Sequence, residues 1–126
     1  MNTEHRPYLA AGDAAEQPAP DPWAVVARLT AWLDDHNGSS TPETALRLMK
    51  VSEEAGEVAA AWIGVVGQNP RKGVTHTTAD VANELCDVIV AAMVAMTTLT
   101  RDPAHHFAWK LAEIAGMRLD TTGGES

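Results

Sequence analysis

The sequence predicts an all-α fold, a four-helix, bundle-like domain that assembles into oligomers. Three observations predict it. A capping residue followed by proline recurs at Asp21-Pro22, Thr41-Pro42 and Asp102-Pro103, and that pair is a helix-start signal. No segment shows the alternation of a half-buried strand, and Val65-Val66 is too short to count as one. Finally, Leu85 to Met96 is apolar at every position except Asp87, so this helix is apolar on all sides and should be buried.

The elements follow in order. The first helix runs from Pro22 to His36 and stops at Asn37-Gly38. The second runs from Pro42 to about Val66, with a core stripe at Leu48, Val51, Ala55, Val58 and Trp62. A start near Thr77 or Thr78, with Asp80 favouring the helix dipole, opens the third helix, Ala79 to about Thr100. The fourth runs from Pro103 to about Leu119. Val88, Ile89, Val90, Met93, Val94 and Met96 cannot all face one small core, which predicts a dimer or larger assembly with the third helix near a symmetry axis.

The chain of 126 residues suits one domain, residues 21–119, between a disordered tail at 1–20 and a loose end at 120–126. A net charge of −8 argues against a broad nucleic-acid or anionic-membrane surface. An acidic protein still binds nucleotides when metal ions carry positive charge to the phosphates. The one cysteine, Cys86, forms no internal disulfide and reads as a small buried hydrophobe. No signal peptide is visible and the longest unbroken apolar run, Val88 to Met96, is short for a membrane span. The expectation is a soluble, cytoplasmic protein.

Chemistry concentrates in two acidic clusters. Glu53, Glu54 and Glu57 lie in EEAGE, and Glu84 and Asp87 lie in ELCD. The i,i+3 pairs Glu54/Glu57 and Glu84/Asp87 each present two carboxylates on one helix face. A connection short enough to make the two helices antiparallel neighbours lets the four carboxylates form a metal cage of the kind that bundles build. Buried carboxylates need compensation, cations are scarce nearby, and hard oxygen ligands select Mg²⁺, Mn²⁺ or Ca²⁺. A lone acidic turn would be read as a solvated face; it is the pairing of two clusters that favours metal.

Other chemistries lack support. A di-iron site needs E-x-x-H pairs, and only Asp102 and His105 come near that spacing, with Asp102 better read as a cap. The five histidines make no zinc pattern, and no G-x-S-x-G or Walker sequence occurs. Arg71 and Lys72, flanked by Gly67 and Gly73, form either a polar connecting loop or a mobile cationic segment that contacts phosphates. Lys50, one turn before EEAGE, either neutralises Glu53 or Glu54 or reaches a phosphate. Each of the four tryptophans is read first as core; Trp62, followed by Trp32, is the candidate for stacking on a base.

The pattern K-x-x-E-E-x-x-E from Lys50 to Glu57, followed by E-x-x-D from Glu84 to Asp87, resembles that of the MazG-like all-α nucleoside triphosphate pyrophosphohydrolases. The similarity spans about Asp21 to Leu119. It implies a MazG-type fold, a homodimer or homotetramer, and Mg²⁺, with Mn²⁺ as a substitute, held by Glu54, Glu57, Glu84 and Asp87. It implies a nucleoside triphosphate substrate, attacked by water at the α-phosphorus to give a monophosphate and pyrophosphate, in nucleotide-pool house-cleaning. Glu53 or Glu54 would orient that water or take its proton, and Lys50, Arg71, Lys72 and Trp62 would bind substrate. Replacing Glu57 by Gln should then remove most activity and leave the fold. The family includes dUTPase-like, dCTPase-like and phosphoribosyl-ATP pyrophosphohydrolase members, so the base stays open. Rival readings are a metal-dependent nucleotide sensor without turnover and a structural helical oligomer.

Overall fold

The computed structural model describes residues 18–118. The N-terminal tail as far as residue 17, and the C-terminal end from Leu119 onward, lie outside the described residues. Four helices account for the structure: α1 Pro22–Asn37, α2 Thr41–Val66, α3 Thr78–Leu99 and α4 Pro103–Arg118, with no strand among the described residues. The protein is all-α, as the helix-start signals predict.

Local chemistry sets each boundary. The Asp21 side chain accepts the Trp23 backbone N–H at 3.2 Å, and Pro22 occupies the position where a missing N–H costs nothing. The Gly38 N–H closes α1 on the Asp34 carbonyl at 2.9 Å. The cap of α2 is Ser40, one residue before the expected Thr41: Ser40 Oγ accepts from the Glu43 N–H at 3.4 Å. Gly67 ends α2 in the left-handed region at φ 63, ψ 36, where glycine meets no steric penalty. Thr77 caps α3 in a reciprocal box with Asp80. Asp102 Oδ1 accepts the His105 N–H at 3.2 Å at the start of α4.

α3 is the central helix; α1, α2 and α4 all pack on it. By length and apolar composition alone it would also pass as a membrane span. α2 and α3 are antiparallel, since Arg47 reaches Thr98 near one end while the Gly64 carbonyl accepts the Thr75 N–H at the other. Small residues allow close approach: Ala61 and Gly64 on α2, Ala91 and Ala95 on α3, all buried. A Cβ on Gly64 would collide with Thr75 and His76.

The face that α2 turns inward differs from the expected stripe. The covered positions are Glu43, Thr44, Arg47, Val51, Glu54, Val58, Ala61, Gly64 and Val65, a heptad seam at Thr44, Arg47, Val51, Glu54, Val58, Ala61 and Val65 flanked by Glu43 and Gly64. Val51 and Val58 belong to it, whereas Leu48, Ala55 and Trp62 face outward, with Leu48 46% and Trp62 53% exposed. α2 carries apolar residues at two phases of the helix, and the phase holding Arg47 and Glu54 is the one that meets α3. On α3, Leu85, Cys86 and Ile89 form an outward face, so Cys86 is exposed rather than buried. Asp87 is also exposed, and Glu84 is half-buried. The fully apolar helix is therefore covered along one side only. α4 rests lightly on the rest, with Phe107 edge-on to Trp23 at a centroid distance of 6.1 Å. From His105 to Met117 only Glu113 is less than exposed.

Candidate metal centre

Glu54, Glu84 and Asp87 each place one carboxylate oxygen within 4.8 Å of the others. Glu54 comes from the inward seam of α2, and the i,i+3 pair Glu84/Asp87 from the first half of α3. The antiparallel register brings the two together, and the close-packed end at Ala61 and Gly64 fixes the separation of the helices. One Mg²⁺ spans ligand oxygens up to about 4.2 Å apart and one Ca²⁺ up to about 5 Å, twice the metal–oxygen distance. The three oxygens fit either ion, with a side-chain rotation of the exposed Asp87 closing the set around Mg²⁺. The donor set is all hard oxygen, and it carries more negative charge than its surroundings compensate.

That excess is visible in Glu84. Its carboxyl is held above the usual range, first by desolvation and then by the charges of Asp87, Glu57 and Glu54, with His76 opposing. His76 lies in the α2–α3 connection against Gly64, and its Nδ1 sits 2.8 Å from Thr75 Oγ1. On the other side, Lys50 Nζ contacts Glu53 Oε2 at 2.9 Å and Glu54 Oε1 at 3.1 Å. Hydrogen bonds donated to those two carboxylates raise the Lys50 amine above its ordinary value.

The other expected site residues are placed as follows. Glu57 stands outside the 4.8 Å group yet acts on Glu84 through its charge. Glu53 faces solvent, 62% exposed, and is tied to Lys50. Lys50 lines a cavity of about 370 Å³ that adjoins the carboxylates and shares Glu54 and Asp87 with them. Trp62 and Trp32 are exposed and neither lines that cavity. Arg71 and Lys72 are exposed in the connection after α2, beyond the end of the helix that carries Glu54, and neither lines the cavity or forms an ion pair among the described residues.

Sequence reasoning missed the polar cluster at the far end of that cavity. Arg47 is 5% exposed and binds Asp34 Oδ1 at 2.7 Å, Glu43 Oε1 at 3.1 Å, Thr98 Oγ1 at 3.1 Å and the Gly38 carbonyl at 3.1 Å. Burial pulls its guanidinium down, but the bonds to Asp34 and Glu43 outweigh this and hold it above its ordinary value. The signal available in the sequence was the i,i+4 pair Glu43/Arg47 on one helix face.

Comparison of the chain with protein-family models, with curated proteins and with solved structures returns no match in any of the three.

Proposed function

We propose that the protein is an Mg²⁺-dependent nucleoside triphosphate pyrophosphohydrolase of the MazG-like type, releasing a monophosphate and pyrophosphate. The observation that carries this reading is the joining of Glu54, Glu84 and Asp87 within 4.8 Å at the mouth of a mostly aliphatic cavity. A metal-binding corner beside an organic-sized cavity suits a ligand with a polyanionic end and an apolar body.

Glu54, Glu84 and Asp87 would hold Mg²⁺, with Glu57 one turn further along α2 as an additional carboxylate. When bound, Mg²⁺ reverses the local sign of charge for the triphosphate and makes water more acidic. Lys50 sits between the metal corner and the cavity, and released from Glu54 it would donate to a phosphate oxygen. Glu53, held at the surface by Lys50, becomes available as a proton acceptor when Lys50 turns away. Water attacks the α-phosphorus, the bond to the bridging oxygen breaks, and pyrophosphate leaves.

The same position of Glu53 favours a second reading, binding without turnover, because the candidate base is tied up away from the carboxylate group. An assay with Mg²⁺ against standard and modified nucleoside triphosphates, resolving pyrophosphate from orthophosphate, separates the two. Pyrophosphate with monophosphate supports the hydrolase; Mg²⁺-dependent nucleotide binding with no release supports the sensor.

The assembly we propose is a homodimer or homotetramer. Trp62, Ile63 and Val66 on α2, Leu85 and Ile89 on α3, and most of α4 support it, being apolar and exposed in one chain. Sedimentation equilibrium of the full chain tests this, and a monomer at tens of micromolar would rule it out.

A further inference from the structure

The cavity has a built polar end that metal binding does not use. Its walls are aliphatic, from Leu29 and Leu33 on α1, Leu46 on α2, and Val90 and Val94 on α3. No aromatic side chain lines it. One end is the carboxylate corner; the other is Asn37, Glu43 and Arg47. Glu43 and Glu54 share a face of α2 and stand roughly 16 Å apart along it, at 1.5 Å rise per residue. That is the span of an extended nucleotide whose phosphates meet a metal at one end and whose base meets side chains at the other.

The hydrogen-bonding capacity left at the far end is mostly acceptor. Arg47 has four of its five N–H donors engaged, on Glu43, Asp34, Thr98 and the Gly38 carbonyl. Asn37 Nδ2 donates to Glu43 Oε1 at 3.1 Å, the oxygen that also accepts from Arg47 Nε. Glu43 Oε2 and Asn37 Oδ1 have no hydrogen-bond partner among the described residues. Two carboxylates, Asp34 and Glu43, surround one guanidinium, so the end also keeps a surplus of negative charge.

We infer that this cavity holds the nucleobase and that Asn37 and Glu43 select bases carrying an exocyclic amino group over uracil and thymine, an inference that rests on the nucleotide reading of the site. An exocyclic amine offers two N–H donors to two free acceptors. The keto oxygen that replaces it in uracil and thymine presents lone pairs to the same oxygens. Two acceptors thus face a group that offers no donor, and a site built for a hydrogen bond rejects the analogue lacking it. The aliphatic walls grip the base faces in place of the aromatic stacking expected of Trp62.

The test is equilibrium binding of dCMP and dUMP, which differ in that amino-for-keto exchange at C4 and in the proton that N3 carries in uracil, to the full chain in Mg²⁺ by calorimetry. The expected result is dCMP bound at least about tenfold more tightly, the discrimination of one good base contact. Asn37→Ala, at the exposed end of α1, should shrink the ratio severalfold while leaving Mn²⁺ binding without nucleotide unchanged. Leu46→Trp, filling the cavity from a position already 58% exposed, should weaken both ligands alike. Equal affinities, a preference for dUMP, binding of neither, or a ratio untouched by Asn37→Ala overturns the inference. Pyrophosphate release from dCTP and dUTP in the same preparation separates the two levels. Preferential dCMP binding with no release sinks the hydrolase and keeps the base selection; equal release from both keeps the hydrolase and sinks the base selection.

Discussion

Lys50 Nζ lies 3.1 Å from Glu54 Oε1, so a cation of the chain pairs with a carboxylate of the candidate metal centre. The same amine holds Glu53 at 2.9 Å. Lys50 thus competes with metal while stabilising the empty acidic corner. Lys50→Met should strengthen Mn²⁺ binding in the absence of nucleotide by about two- to fivefold, the worth of a solvent-exposed ion pair. It should also lower turnover, because the donor to the phosphate is lost. Calorimetric Mn²⁺ titration beside the pyrophosphate assay measures both, and weaker metal binding in the variant would show that Lys50 supports the site instead of competing for it.

Glu84 carries the electrostatic strain of the corner. Its folded-state carboxyl is raised, by desolvation and by Asp87, Glu57 and Glu54. The sign follows from linkage. A carboxyl that holds its proton more tightly when folded favours the folded state below the ordinary carboxylate range, and that contribution is lost as pH rises through the raised value. Glu84→Gln should therefore make the metal-free protein more stable at neutral pH, with the gain fading toward pH ~3, where the wild-type carboxyl is protonated in both states. The variant should also lose most of the rise in Tm that Mg²⁺ gives the wild type. Melting curves at both pH values, with EDTA and with Mg²⁺, read this directly. A variant that Mg²⁺ stabilises as much as the wild type would falsify the assignment of Glu84 as a ligand.

The helix starts and the joining of Glu54 with Glu84 and Asp87 were legible because they depend on near neighbours in sequence. A cap and a proline act within one turn, an i,i+3 pair fixes a face, and an eleven-residue connection makes α2 and α3 antiparallel. The phase of α2 was not legible. Leu48, Ala55 and Trp62 make as good an apolar stripe as Val51, Val58 and Val65, and only the partner helix decides between them. Glu53 lies about 100° around the helix axis from Glu54 and faces solvent, while Glu57 keeps the i,i+3 relation to Glu54 and stands outside the 4.8 Å group, acting on Glu84 through its charge. The Arg47 cluster was invisible since it joins Asp34, Gly38, Glu43 and Thr98, spread over three helices and a turn.

Arg47 ties α1, α2, α3 and the α1–α2 turn through one guanidinium. Arg47→Ala removes every one of these bonds and leaves Glu43, whose side chain is only 14% exposed, without its cation. Asp34 is half-exposed and is rehydrated at little cost. The expected loss is about 2 kcal/mol, in the range for hydrogen bonds to charged groups. Arg47→Lys should recover only part of it, since a single ammonium does not reproduce the planar fork. Urea unfolding of both variants tests this. A loss below about 0.5 kcal/mol for Arg47→Ala, the scale of an ordinary surface substitution, would mean the cluster does not clamp the helices.

The cap of α3 gives a pH test remote from the carboxylate corner. Asp80 Oδ2 accepts the Thr77 N–H at 2.8 Å and the Thr77 hydroxyl at 3.1 Å, while Thr77 Oγ1 accepts the Asp80 N–H at 3.2 Å. The bond from the Thr77 backbone, and then that from its hydroxyl, holds the Asp80 carboxyl below the usual range, with His76 adding its charge. A depressed folded value contributes stability that is complete above the ordinary carboxylate range and is lost as pH falls through the depressed one. Asp80→Asn should thus be less stable than the wild type at neutral pH, and the gap should narrow on acidification to about pH 3 and below. Since α3 presents Glu84 and Asp87 within its first three turns, fraying at this cap should also weaken Mn²⁺ binding in the variant. Parallel unfolding and Mn²⁺ titrations across pH check the two effects together. A stability gap that stays constant with pH would assign the role of Asp80 to packing rather than to its charge.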